Sequence, residues 1–193
     1  MINLPKLVLA SGSPRRSEIL NAVGWKFTKD VPNIDESERP GENAELYVRR
    51  LAHEKAHAIA VSHPGEIVLA ADTTVVIDDQ IIGKPADHED ARRMLGMLSG
   101  NWHEVLTGIA VTKNGNTEVG LERTRVNFGS MSEDEIDFLV KMGDPLDKAG
   151  AYAVQAQAAL FIEGIEGDYW NVVGLPVRLV YETVGKMVSG DEW

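Results

Sequence analysis

The stretch that decides the fold class is LVLASGSPRR, at residues 7–16. Its apolar beginning predicts a short buried strand over residues 6–10, and the small polar residues that follow predict a tight loop. Ser13 is a favourable N-cap and Pro14 a favourable first helical residue, so a helix should begin here and end at Gly24. A strand that leads through a short loop into a helix is typical of an α/β fold.

Strands and helices continue to alternate along the 193 residues. Apolar periodicity predicts helices over residues 43–62, 87–98 and 132–142 and a last helix from Pro176, and residues 32–41 should form an exposed loop. Other apolar runs predict strands over residues 67–71, 74–77, 105–112, 118–128, 160–165 and 170–173, with hairpin turns at residues 78–80 and 114–116. Because several strands are joined by hairpins, we predict an α/β fold with a mixed, partly antiparallel sheet flanked by helices.

Composition narrows the class of protein. The chain has 19 Lys and Arg against 30 Asp and Glu, a formal net charge of −11, and no cysteine. This charge disfavours binding to a nucleic acid polymer, and the lack of cysteine excludes disulfides and thiolate chemistry. No apolar segment approaches the roughly 20 residues that cross a bilayer, and the N-terminus has no signal-peptide pattern. We therefore predict one cytoplasmic domain over residues 1–193 that has no membrane partner.

The loop and helix start at residues 11–16 are candidates for phosphate binding. Arg15 and Arg16 occupy the first turn of the predicted helix, where positive charge opposes the helix dipole. A bound anion would reverse this effect, since free N–H groups and guanidinium forks both favour phosphate. Ser11 and Ser13 belong to the same candidate site. The alternative is a capped surface helix whose arginines are solvated, and the sequence leaves both interpretations open.

Asp72 is a candidate for acid–base or metal chemistry. It follows the apolar run at residues 67–71, and a carboxylate at the end of a strand lies where α/β folds usually open their ligand crevice. There it could bind a divalent metal or accept a proton from water. The alternative is an aspartate that caps a strand-terminal turn.

Other polar residues are weaker candidates when taken singly. Lys84 stands between Gly83 and Pro85, and the proline restricts the backbone so that the ammonium group could be aimed at a fixed point. Glu36 on a loop and Lys55 on a helix are residue types that are usually solvated. Asn171 either lies near a ligand or belongs to a tight connection.

A last candidate, DKAGAYAVQ at residues 147–155, has the features of a base-binding segment. Small residues around Gly150 would let a ligand approach the backbone closely. The amide of Gln155 offers one acceptor and two donor hydrogens, which can complement the carbonyl and N3–H groups of uracil or thymine. A guanine edge would be matched better by glutamate. The alternative is a glutamine without a ligand.

Together these segments resemble the Maf family of nucleotide pyrophosphatases. The matching motifs lie at residues 7–16, 71–73, 82–85, 98–100, 148–152 and 171–176. The resemblance implies a two-lobed α/β fold similar to inosine triphosphate pyrophosphatases, with the nucleotide in a cleft between the lobes. It also implies a divalent cation, Mg or Mn, and cleavage between the α and β phosphates.

The resemblance implies a role for each candidate residue. Asp72 matches the family's proposed proton acceptor and Glu36 another active-site position, and we predict that Asp72, helped by Glu36, holds the metal. The other matches are Lys55, Lys84 and Gln155 at active-site positions, Arg16 at a phosphate-contacting position, and Arg15, Thr73 and Gln155 at positions linked to substrate choice.

Two sets of residues, at positions 72–73 and around Gln155, bear on which nucleotide is the substrate. Asp72-Thr73, together with Ala151-Tyr152 and Gln155, resembles the dTTP/UTP branch of the family rather than the 7-methyl-GTP branch. Ala153 and Ala156 depart from the glycines of many relatives, and their methyl groups would narrow the base pocket.

We therefore predict a dTTP/UTP pyrophosphatase that forms the nucleoside monophosphate and pyrophosphate, and a homodimer would suit a chain of this size. A role in limiting modified nucleotides and a link to cell-division arrest belong to the same prediction. One alternative is a nucleotide-sensing regulator that binds without turnover, and another is an enzyme for a modified or purine nucleotide.

Overall fold

The computed structural model describes residues 4–188, which contain one seven-stranded sheet and six α-helices. The strands are β1 (Leu7–Ala10), β2 (Phe27–Asp30), β3 (Ile67–Ile77), β4 (Gln80–Ile82), β5 (Trp102–Lys113), β6 (Asn116–Phe128) and β7 (Ile162–Glu166). The helices are α1 (Pro14–Ala22), α2 (Ala44–Ala60), α3 (His88–Leu98), α4 (Glu133–Met142), α5 (Tyr169–Val173) and α6 (Val177–Met187). Short 3₁₀ turns cover Pro145–Asp147, Ala149–Ala151 and Gln157–Leu160. None of the described helices is long and apolar enough to span a bilayer.

The sheet is mixed, as predicted. Its strand order is β2-β1-β3-β5-β6-β7, and β4 pairs with β3 outside this path. β1 is parallel to both of its neighbours, whereas β4 is antiparallel to β3 and β7 is antiparallel to β6. Parallel pairing around β1 requires a helical crossover on each side, which α1 and α2 supply. The mixed α/β fold class is therefore confirmed.

Local turn and capping signals are reproduced. Asp78 and Asp79 connect β3 to β4 with φ angles of 49° and 60°, the positive values that a two-residue type I′ hairpin requires. Ser132 and Glu135 form the predicted capping box at the start of α4. Ser13 occupies the N-cap position of α1, but its side chain makes no capping hydrogen bond.

The prediction that Asp72 ends a strand is wrong. β3 continues through Asp72 as an 11-residue strand, so the predicted strands at residues 67–71 and 74–77 are one. The β-branched Thr73 and Thr74 favour extended backbone, which explains the continuity. The last parallel pair joins Leu9 of β1 to Leu69 of β3, three residues before Asp72. The carboxylate thus lies beyond the parallel pairing with β1, although not at the end of its own strand.

The predicted strand at residues 170–173 is also wrong, because Tyr169–Val173 form the short helix α5. The Asp168 carboxylate accepts hydrogen bonds from the backbone N–H groups of Trp170, at 2.7 Å, and Asn171, at 3.4 Å. Such side-chain bonds to the next amides favour a helical start over an extended strand. The apolar run alone did not reveal this competing local interaction.

The chain divides into two compact units. Of the described residues, the first unit comprises 4–72, 107–122 and 174–188, and the second comprises 73–106 and 123–173. The core of the first unit contains small and β-branched residues from β1, β3 and α2, including Val8, Ala52, Ala56, Val68 and Ala70. The core of the second unit includes the fully buried Leu95, Leu98, Leu106 and Phe128.

Candidate active site

Close packing of α2 on β5 positions Lys55 in the first unit. A Cβ atom on Gly108 would lie 2.4 Å from the carbonyl oxygen of Val48, so only glycine allows this approach. Lys55, two helical turns beyond Val48, is 7% exposed. A lysine is rarely buried to this extent without a partner, so its contacts should be with acids.

Two carboxylates meet the ammonium group of Lys55. Its Nζ lies 2.7 Å from Oδ1 of Asp72 and 3.0 Å from Oε2 of Glu36. Asp72 comes from β3, Lys55 from α2, and Glu36 from the loop between β2 and α2. Three of the residues predicted for catalysis are therefore in direct contact.

Burial changes the acid–base behaviour of Asp72. The residue is 7% exposed, and the loss of solvation raises the pKa of its carboxyl group above the ordinary value. The charges of Lys55 and Arg16 oppose this rise, whereas the charge of Glu36 adds to it. A carboxylate with a raised pKa is a stronger base than a solvated aspartate, provided that it is ionised.

The loop after β1 fixes the direction of Arg16. Its Nη1 donates to Oγ of Ser11 at 3.1 Å, and its Nε donates to the carbonyl oxygen of Gly174 at 2.9 Å. Ser11 is almost fully buried, and its Oγ also accepts from the backbone N–H of Ser13 at 3.1 Å. Desolvation lowers the pKa of Arg16, while Asp72 and Glu36 raise it and Arg15 lowers it further. Ser11, Ser13 and Arg16 thus form one hydrogen-bonded group, and Arg15 is half-buried beside it.

In the second unit, a backbone hydrogen bond joins the segments that carry Lys84 and Gln155. The N–H of Gly150 donates to the carbonyl oxygen of Gly83 at 3.0 Å. The Lys84 and Gln155 side chains are both exposed. Thr73 is half-buried, and because it follows Asp72 in β3 the two side chains leave opposite faces of the strand.

Sequence reasoning missed the residue that anchors the predicted base-binding segment. His103 is buried, and its Nε2 lies 2.7 Å from the hydroxyl oxygen of Tyr152. The Phe128 ring packs edge-on against Tyr152 with 5.0 Å between centroids. Burial lowers the pKa of His103 to about 4 and raises that of Tyr152, so both side chains are neutral near pH 7. The available signal was the two-residue spacing that puts His103 on the same strand face as the buried Val105.

Asn171 belongs to a tight connection. It is fully buried, and its Nδ2 donates to the carbonyl oxygen of Val105 at 2.9 Å and to Oγ1 of Thr124 at 3.0 Å. These bonds fasten α5 to β5 and β6. The second of the two interpretations that the sequence left open fits this geometry.

The carboxylates of Asp72 and Glu36 are suitable ligands for a hard divalent cation. Mg²⁺ is usually held by one or two carboxylates together with substrate phosphates and water. Among residues 4–188, no group of three or more His, Cys, Asp or Glu side chains has metal-binding geometry. The carboxylates of Asp72 and Glu36, which both approach Nζ of Lys55, could supply part of the ligand set of such a cation.

The family model for Maf-like proteins matches residues 6–187 of the chain. The chain belongs to the Maf family. This confirms the resemblance inferred from the motifs, and the matched residues include parts of both units.

Two relatives of this Maf chain cover most of its length. It is 48% identical over 175 residues to the dTTP/UTP pyrophosphatase of Symbiobacterium thermophilum, a match that covers 91% of this chain and 90% of the relative. It is 50% identical over 171 residues to the dTTP/UTP pyrophosphatase of Myxococcus xanthus, with 89% and 87% covered.

A solved structure supports the fold of the Maf chain. The Staphylococcus aureus Ham1 protein is similar with a TM-score of 0.54 and 14% sequence identity, and the match covers 95% of this chain and 100% of that one. At this level of identity the likeness concerns the fold alone.

Proposed function

We propose that this Maf chain is a single-domain nucleoside triphosphate pyrophosphatase that hydrolyses dTTP and UTP to the monophosphate and pyrophosphate. The observation that carries the proposal is the contact of the buried Lys55 with the buried Asp72, at 2.7 Å, and with the half-exposed Glu36, at 3.0 Å. It occurs in a chain about half identical, over most of its length, to relatives that bear this name. The contact supports this proposal because it brings together the proposed base, a cation and a second acid.

In the proposed reaction, an oxygen atom of water attacks the α phosphorus and the bond to the bridging oxygen breaks. Asp72 accepts the proton that the water loses, a role that its raised pKa supports. Lys55 keeps the Asp72 carboxylate in a fixed direction through the 2.7 Å contact. The electron pair of the broken bond leaves with pyrophosphate.

Asp72 and Glu36 are the residues proposed to hold the divalent cation, Mg or Mn. When bound, such a cation neutralises phosphate charge and lowers the pKa of a coordinated water. The carboxylates also bracket the ammonium group of Lys55, so the acids that would attract the metal already have one positive neighbour.

The remaining cationic side chains are proposed to bind the phosphate groups and neutralise their charge. Arg16 is oriented by Ser11 and Gly174, so its guanidinium group needs little reorganisation to bind an anion. Arg15, in the same helical turn, and the exposed Lys84 are proposed to neutralise the triphosphate as pyrophosphate leaves. The Ser11 and Ser13 loop completes this phosphate site.

Thr73 and Gln155 are proposed to select the base. The exposed amide of Gln155 can donate to a carbonyl group and accept from the N3–H of uracil or thymine. A guanine edge with two adjacent donors leaves this pattern unmatched, which favours a pyrimidine substrate.

The proposal extends to the cellular setting. We place the enzyme in the cytoplasm as a homodimer, and its net charge of −11 argues against a nucleic acid polymer as partner. Removal of modified nucleotides and a link to cell-division arrest are further parts of the proposal. Hydrolysis of modified pyrimidine triphosphates by the purified chain tests the removal of modified nucleotides. Sedimentation of the same sample tests the homodimer.

One assay tests the central proposal. The chain is incubated with dTTP, UTP, CTP, ATP or GTP and Mg²⁺, and the products are separated. We expect dTMP or UMP together with pyrophosphate, formed fastest from dTTP and UTP. Release of dTDP and phosphate would contradict cleavage at the α phosphorus, and binding of dTTP without any product would favour a sensor.

A further inference from the structure

Two side chains of α2 hold the Glu36 loop, residues 31–43, through hydrogen bonds to the carbonyl groups of two consecutive residues. The hydroxyl group of Tyr47 donates to the carbonyl oxygen of Glu36 at 3.0 Å, and Nη2 of Arg50 donates to that of Ser37 at 3.0 Å. Tyr47 and Arg50 are three residues apart and therefore share one face of the helix. Residues 31–43 contain no helix or strand, so side-chain bonds of this kind contribute to the position of the loop.

Arg50 is itself held in one orientation. Its Nε and Nη2 atoms donate to the two carboxylate oxygens of Glu42 at 2.6 and 2.7 Å, and its Nη1 donates to Glu54 at 3.2 Å. The Arg50 and Glu42 side chains are only 12% and 9% exposed. A bidentate pair of this geometry fixes the plane of the guanidinium group, and with it the direction of the bond to Ser37.

Tyr47 lies in the electrostatic field of the predicted catalytic acids. Desolvation raises the pKa of Tyr47 to about 12, and the charges of Asp72 and Glu36 add to this rise. Its hydroxyl group therefore stays protonated near pH 7 and can donate to the loop. The guanidinium carbon of Arg50 lies 5.6 Å from the centre of the Tyr47 ring, so the two anchors also contact each other.

We propose that Tyr47 and Arg50 are positioning residues, which hold the backbone beside Glu36 so that its carboxylate reaches Lys55. The inference rests on the proposed function and extends it to two residues outside the predicted site. The Glu36 side chain is 52% exposed and lies on an irregular loop, so bonds to the backbone beside it restrict where its carboxylate can lie. Because this acid is already oriented, the loop does not have to lose conformational entropy during each turnover.

Two conservative variants test the anchors. Tyr47→Phe removes one hydroxyl group and keeps the ring against Arg50. Arg50→Lys keeps the positive charge but removes the planar guanidinium group that pairs with Glu42 through two hydrogen bonds. We expect Tyr47→Phe to lower kcat for dTTP about fivefold, the effect of one lost hydrogen bond, and Arg50→Lys to lower it further. KM should change little if Glu36 acts mainly in the transition state. Arg39→Gln is the matched control, because the Arg39 side chain lies on the same loop and is 61% exposed, and its ion pair with Glu54 involves neither the Glu36 nor the Ser37 carbonyl group.

A double-mutant cycle and a direct measurement separate positioning from general destabilisation. In a Glu36→Gln background, Tyr47→Phe should cost no further kcat, because the acid that it positions is already lost. Amide hydrogen exchange at residues 35–38 should be faster in Tyr47→Phe and Arg50→Lys than in the wild type or Arg39→Gln. Exchange in the core of α2 should be unchanged in Tyr47→Phe, which shows that the variant is folded.

Two results would overturn the inference. One is an equal loss of kcat from Tyr47→Phe with and without the Glu36 carboxylate, and the other is unchanged exchange of the loop in both variants. If the wild-type chain hydrolyses no nucleoside triphosphate, the proposed function fails. The exchange measurement would then still decide whether Tyr47 and Arg50 hold the loop.

Discussion

Nζ of Lys55 lies 2.7 Å from Oδ1 of Asp72, and neither side chain is more than 10% exposed. A buried ion pair of this kind pays a large desolvation cost and is weak evidence for stability. The pair is better explained by chemistry, because it keeps an aspartate of raised pKa in one orientation. The first two predictions follow from this contact.

Replacement of Asp72 by asparagine should lower kcat by about a hundredfold or more, since the amide cannot accept a proton from water. The change preserves the size of the side chain, so the fold should persist. Turnover of dTTP and the circular dichroism spectrum are the two measurements. Turnover near the wild-type rate would remove Asp72 from the mechanism.

The acid limb of the kcat/KM profile should report the pKa of Asp72 and shift in opposite directions in two variants. The Glu36 charge raises this pKa and the Lys55 charge lowers it. Glu36→Gln should therefore move the limb to lower pH, and Lys55→Gln should move it to higher pH. Both variants will be slow, but the position of the limb is independent of the maximal rate. Shifts of the same sign would exclude Asp72 as the titrating group.

His103 should make the folded chain less stable in acid. Its pKa is about 4 in the folded state, against an ordinary value of 6.5 that we expect after unfolding. As pH falls from 6.5 to 4, the unfolded chain binds a proton that the folded chain does not, and the free energy of unfolding decreases. His103→Gln should flatten this decrease, as measured by urea unfolding at pH 7, 6 and 5. Equal slopes in the variant and the wild type would contradict the assignment.

Gly150 should tolerate no side chain. Its φ angle is 68°, and an added Cβ atom would lie 2.9 Å from Cγ2 of Val75. Gly150→Ala should therefore lower the free energy of unfolding by about 1–2 kcal/mol. It should also raise KM for dTTP if the Gly83–Gly150 hydrogen bond positions Lys84.

The neighbouring Ala151 provides a control for the Gly150 variant. Its φ angle is 64°, also in the left-handed region. Ala151→Gly relieves backbone strain but raises the conformational entropy of the unfolded chain. The two effects oppose each other, so the free energy of unfolding should stay within about 1 kcal/mol of the wild-type value. Urea unfolding of both variants tests the pair. A Gly150→Ala protein as stable as the wild type would show that the segment moves to accept the methyl group.

Much of the local structure could be predicted because its causes lie within a few residues. The Ser132 capping box and the Asp78-Asp79 turn each depend on bonds or φ values inside one short segment. The same reasoning failed at residues 170–173, where the Asp168 side chain competes with the extended backbone. It failed again at Asp72, because one polar residue was taken as the end of a strand that Thr73 and Thr74 continue.

The candidate site was predictable in its residue types but not in its contacts. Motif resemblance selected Glu36, Lys55 and Asp72, although a glutamate on a loop and a lysine on a helix are individually unremarkable. Tyr47 was beyond that reasoning, since its role depends on a loop carbonyl 11 residues away. Its value as an anchor could be recognised only from the position of the hydroxyl group.

The sequence by itself determined the strand–loop–helix start at residues 7–16, the helix caps, the hairpin turns and membership of the Maf family. These features follow from the backbone preferences of residues that are close in sequence and from short sequence motifs. Only the tertiary structure decided that Lys55 meets an acid 17 residues away and that Tyr47 and Arg50 fasten the Glu36 loop. The physical reason is packing: α2 reaches its place because Gly108 admits the backbone at Val48, and distant side chains meet only after that approach.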